Sequence, residues 1–192
     1  KNIDLYVLSY DNNKNLMQTP NIIKDNIVQY LSQFKVISDD VTLHDGYVVN
    51  FGVKFEVVAR ANTNKSELKI KCIQEIKDYF DINNMHFNQT IFTSEVENIL
   101  YNIDGVKYIK SLIITQDAND LNTSSHLHAS GGTPNNNTAG VGSNNYGYAY
   151  NFNNFYGNSA THGEGVILPV HPDTPTVFEL KNPLDNIKGV VE

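Results

Sequence analysis

Apolar and polar positions alternate most regularly between Tyr47 and Ala59. There Val49, Phe51, Val53, Phe55 and Val57 fall on one face of a long strand that follows the turn signal Asp45-Gly46. An earlier run, Ile3 to Tyr10, sets Leu5 and Val7 on one side and Tyr6 and Leu8 on the other, which predicts a short strand covered on both faces. Between these runs Thr19-Pro20 opens a helix, with Thr as the cap and Pro at the first helical position. Ile23, Ile27, Tyr30, Leu31 and Phe34 share one of its faces. The period then turns helical: Leu68, Cys72, Ile73, Ile76, Tyr79 and Phe80 form a stripe, with Lys65, Lys69, Lys71 and Lys77 opposite. A further helix opens at Thr93-Ser94, where Ser94 and Glu97 have capping-box spacing and Val96, Ile99, Leu100 and Ile103 face inward. Asp104-Gly105 ends it, and Val106 to Thr115 is the last strand of the series. The order predicts an α+β fold, a small mixed sheet with helices packed on it. Leu68, Cys72, Ile76 and Phe80 are expected to face the strand that carries Val49, Phe51, Val53 and Phe55.

Composition changes the picture beyond residue 116. The chain has 192 residues and a net charge of -7. Residues 1–115 carry 12 basic and 14 acidic side chains, residues 116–192 carry 2 and 7, and between Leu121 and Gly163 there is no Asp, Glu, Lys or Arg at all. Three parts are therefore expected: an α+β domain over 1–116, an Asn/Gly-rich uncharged insertion or arm over 117–165, and an extended Pro-punctuated tail over 166–192. The acidic balance argues against a broad grip on nucleic acid. No apolar run approaches the ~20 residues that cross a bilayer, and the N-terminus lacks a signal-peptide layout, so a soluble protein of a reducing compartment is expected, without a membrane partner.

Candidate chemistry is sparse. His126 and His128, with His162 and His171 further on, could tempt a metal reading, but no Asp, Glu or Cys lies between 121 and 163 to complete the set. The one cysteine, Cys72, excludes an internal disulfide, and its place in the helical stripe reads as core, not as a nucleophile. Asp39-Asp40 and Glu95/Glu97 sit in a turn and in a first helical turn, where acids are at home. Gly131-Gly132 and Gly140-Val141-Gly142 lack the lysine and the strand-to-helix context of a phosphate loop. No catalytic residue, cofactor or metal is therefore expected. The one prominent constellation is aromatic: Tyr146, Tyr148, Tyr150 and Phe152 at every second position, then Phe155 and Tyr156. These six are the candidate interface residues, read as an ordered extended arm that docks one aromatic face on protein. The alternative is a stacking platform for carbohydrate in a binding or host-recognition module.

Several segments together resemble one family. They are Ile3 to Tyr10, Asp45 to Val53, the Lys65–Asp81 helix running into Phe87-Asn88-Gln89, and Asp104-Gly105-Val106. Towards the end of the chain come Gly163 to Pro169, Phe178 to Lys181 and Asp185 to Gly189. This pattern resembles the C-terminal region of the large baseplate wedge protein of T-even-type contractile-tailed phages, a relative of the baseplate J-like family. The resemblance covers almost the whole chain except about residues 117–150. It implies a structural virion protein of the tail baseplate, made in the host cytoplasm, that forms a homodimer and joins other wedge subunits. It implies no enzyme activity, and family members are much longer than this chain.

Overall fold

A computed structural model of the chain describes residues 2–34, 40–116, 150, 152, 165–168 and 175–192. Three strands open it: β1 (Asn2–Val7), β2 (Ser9–Tyr10) and β3 (Leu16–Met17). Helix α1 (Asn21–Ser32) and strand β4 (Asp40–Asp45) follow. Next come β5 (Tyr47–Asn50), β6 (Gly52–Ala59), helix α2 (Lys65–Tyr79), a 3-10 turn (Ile82–Asn84) and β7 (Ile91–Phe92). Helix α3 (Thr93–Tyr101) leads into β8 (Val106–Thr115). The described C-terminal part supplies β9 (Val166–Ile167), β10 (Thr176–Glu179), the short helix α4 (Pro183–Asn186) and β11 (Ile187–Val191). The fold is α+β, with small mixed sheets and helices packed on them.

The long alternating run is two strands, because the chain changes partners at Phe51. β5 pairs in parallel with β10, while β6 sits at the centre of the sheet β11-β6-β8, parallel to β11 and antiparallel to β8. The break leaves no gap in the bonding: the Phe51 amide donates to the Glu179 carbonyl at 3.2 Å. The Phe51 ring is fully buried and meets Phe80 edge-on at 4.9 Å. Val49, Val53, Phe55 and Val57 are also fully buried, whereas Lys54 and Glu56 reach toward solvent, so the period-2 pattern survives in β6. Leu68, Cys72, Ile76 and Phe80 lie in the same core, with α2 packed on the sheet and lying nearest β11. Segment 166–192, expected as an extended tail, supplies core strands from residue 176 onward, and all four residues of β10 are buried. A parallel strand covered on both faces buries successive residues, which is why this stretch shows no alternation.

The N-terminal layer differs from its expectation. β1 pairs in parallel with β4 alone, and its first three residues are exposed, so it is not covered on both faces. Helix α1 has no buried residue. Its half-buried residues are Lys24, Ile27, Val28 and Leu31, on the side packed on β4, while Ile23, Tyr30 and Phe34 of the expected shared apolar face are exposed. The cap position is Pro20, one residue later than expected, and no side chain caps the helix. Thr19 is engaged elsewhere: its hydroxyl accepts from Ser9 Oγ at 3.0 Å and its amide donates to Asp45 at 3.1 Å. Ser94 likewise lies inside α3, whose cap position is Phe92.

Candidate interaction surface

Two of the six candidate aromatics lie among the described residues, and both point into the protein. Tyr150 and Phe152 are 7% and 5% exposed, and their rings meet edge-on at 4.4 Å. Tyr150 also packs on Phe178 of β10 at 5.5 Å. Its backbone is held by Gln116 just past β8: the Tyr150 amide donates to Gln116 Oε1 at 2.7 Å, while Gln116 Nε2 donates to the Asn50 carbonyl. The phenol donates to the Leu168 carbonyl at 2.7 Å. These rings serve the core and offer no open face to a sugar. Tyr146, Tyr148, Phe155 and Tyr156 lie outside the described residues. So do His126, His128, His162 and His171. Among the described residues no group of three His, Cys, Asp or Glu side chains could hold a metal ion.

The remaining chemical groups sort by burial. Cys72 is fully buried on α2, and desolvation pushes its thiol up to about 11, which keeps it a neutral apolar group at physiological pH. Tyr79 donates its hydroxyl to Glu95 Oε2 at 2.5 Å, a tie between α2 and α3, and burial with that hydrogen bond raises the phenol further from ionisation. Lys110 on β8 lies between Glu56 of β6 at 2.7 Å and Glu192 beyond β11 at 3.0 Å, so one ammonium spans three strands on the exposed sheet surface. A shallow groove of about 410 Å³ runs between α3 and β8; Ser94, Glu97, Tyr101 and Lys110 are among its lining residues, and it contains no histidine or cysteine.

Two further features escaped the sequence reading. The β6–β8 register shifts twice, leaving Lys110 and Lys107 as the extra residues on β8. Bulges and lysines on an edge strand discourage another strand from adding there, so the outer rim of β8 is protected. The second feature is Glu179, 3% exposed at the end of β10, whose Oε1 accepts from the Leu16 amide at 2.6 Å. The residue that receives this contact is 163 positions away, and no local pattern announces it.

Among the described residues, several exposed large apolar side chains gather in the α1 layer. Ile22, Ile23, Tyr30 and Phe34 are exposed, with the Tyr30 and Phe34 rings in contact at 5.2 Å, and Ile3 of β1 is exposed in the same layer. Lys24 turns away from this stripe to Asp45, at 2.5 Å, so its charge stays off the apolar face. No helix among the described residues is long and apolar enough to cross a membrane. No family model and no curated protein matches the chain.

Proposed function

We propose that this chain is a structural subunit of a contractile phage tail baseplate wedge, acting in baseplate ring assembly through protein–protein interfaces. On this reading it works in the virion, after synthesis in the host cytoplasm, as a homodimer in contact with other wedge subunits and without catalysis or a cofactor. The observation that carries an assembly role is the open apolar face of α1. Clustered exposed apolar residues on a folded chain mark an association surface; Ile22, Ile23 and Tyr30 are exposed on α1, and Phe34, two residues past its end, meets the Tyr30 ring. The phage assignment itself rests on the resemblance alone, whose segments take in most of β1, all of β2, β5 and the first two residues of β6, all of α2, the α3–β8 turn, β9, the second half of β10 and the α4–β11 junction. The stripe bears no charge, so two chains of net charge -7 meet there without opposing like groups.

Sedimentation of the full chain tests the assembly reading. A dimer is expected at micromolar concentration, and Tyr30→Ser with Phe34→Ser should return it to monomer without loss of the folded spectrum. A chain that stays monomeric at high micromolar concentration, with or without the α1 substitutions, would remove it.

A further inference from the structure

Glu179 is a buried carboxyl with half of its bonding capacity unmet. Its Oε1 takes the Leu16 amide at 2.6 Å, and Oε2 is buried with no hydrogen-bond partner among the described residues. The bond joins two separate parts of the chain. Leu16 belongs to β3, which pairs antiparallel with β2, while Glu179 ends the core strand β10. Among the described residues, the titratable groups that bear on Glu179 are Lys181, two residues further along its own chain, and Asp11, in the loop between β2 and β3. On its other side β5 sets the uncharged Asn50 opposite it in register. Asp11 is itself committed to its loop, accepting from the Asn13 and Asn15 amides at 2.7 and 2.8 Å.

We propose that the Glu179 carboxyl is a proton-operated latch, seating the β2–β3 hairpin on the core when protonated and loosening that seat when ionised. An ionised carboxylate in this position keeps one donor and loses its water, with Asp11 adding like charge. Lifting the hairpin rehydrates it at the expense of one hydrogen bond and the Leu16 side chain's place in the core. A protonated carboxyl still accepts the Leu16 amide and carries no charge to hydrate, so the closed seat is its better state. Burial raises the folded-state value to about 7 from 4.5, partly offset by the Leu16 bond and Lys181. The sign follows from the raised value: the closed hairpin binds the proton more tightly than the open one. Its seat is therefore fully stabilised below about 4.5 and weakens as pH rises through about 7. The hairpin connects β1 to α1, so the proton acts at the joint between the exposed N-terminal layer and the core.

Amide hydrogen exchange on the full chain between pH 5 and pH 8 tests the latch. After correction for intrinsic exchange, protection at Leu16 should fall roughly ten- to a hundredfold across that range, while Ile114 in β8 stays level. In Glu179→Gln, which keeps the acceptor and removes the charge, Leu16 protection should be independent of pH. A carbon-13 titration of the Glu179 carboxyl in the unaltered chain gives a second readout, with a midpoint near 7 expected. Flat protection at Leu16 in the unaltered chain, an unchanged slope in the glutamine variant, or a carboxyl midpoint near that of a free glutamate would each overturn the proposal.

Discussion

A Cβ on Gly189 would lie 2.2 Å from Cζ of Phe55, a ring fully buried in the core and unable to swing aside. Gly46 meets a ring almost as closely, with Phe87 Cε1 at 2.4 Å, but Phe87 is 40% exposed and can rotate toward water. The two glycines therefore differ in what a methyl group does. Gly189→Ala should destabilise by about 1–3 kcal/mol, the usual range for overpacking a core, and Gly46→Ala by clearly less. Equal shifts of the two variants in a urea melt would mean that the Phe55 ring is free to move. At this scale much of the core was legible in the sequence. Val49, Phe51, Val53, Phe55, Leu68, Cys72 and Ile76 were all named by their period, because a residue that repeats on one face has one place to go. Glu179 was not, since a buried acid in a tail of ordinary polarity leaves no mark on hydrophobic spacing.

At the level of elements, the helices show how much depends on caps. Asn64 caps α2 with its side chain, accepting from the Ser66 amide at 3.1 Å and the Glu67 amide at 3.4 Å. Replacing Asn64 by Ala should cost about 1 kcal/mol, readable as a lower midpoint in denaturant. No change there would mean that water replaces the cap fully. The sequence pointed instead to Thr19, whose hydroxyl bonds Ser9, and to Ser94, which lies inside α3 and not at its cap. For α1 the period groups Ile23, Ile27, Tyr30, Leu31 and Phe34 on one face, and the structure splits that face: Ile27 and Leu31 are half-buried, while Ile23, Tyr30 and Phe34 are exposed. Periodicity reports which residues share a side and is silent on whether the neighbouring layer is wide enough to cover them. β4 covers only the Lys24–Leu31 side.

Taken whole, the molecule is a well-buried sheet-and-helix core carrying a thin outer layer. The core joins β5, β6 and β8 to β10 and β11, and the layer of β1, β4 and α1 meets it through the β2–β3 hairpin and the Gly46 turn, whose amide donates to the Val7 carbonyl. Charge sets the sequence after residue 116 apart, but nothing in it signals that the chain returns to the core from Thr176 onward. Parallel pairing of Thr176–Glu179 with Tyr47–Asn50 needs no local signal in either segment, and only a buried hydrophobic run hints at it. The same applies to the candidate interface: Tyr150 and Phe152 could be picked out as apolar groups that needed cover, whereas Phe178 and Gln116, which hold Tyr150, could not.

The placement of β10 and β11 also sets an order of events for a chain leaving the ribosome. β5 and β6 emerge with Val48, Val49, Phe51 and Val53 well before two of their three strand partners, β10 and β11, which lie far downstream in the chain. Until residue 191 has cleared the exit tunnel, these strands lack their parallel neighbours, and the nascent domain holds open a hydrophobic cleft where β10 and β11 will lie. Closure then has to form contacts between distant parts of the chain, a slow step compared with helix formation. A chain stopped before Thr176 should accordingly remain sensitive to protease and aggregate. Adding residues 175–192 as a separate peptide should restore protection at Val53 if the cleft is preformed. A stopped chain as protease-resistant as the full one would place the folding nucleus entirely in β6, β8 and the helices, with the final strands as late and optional cover.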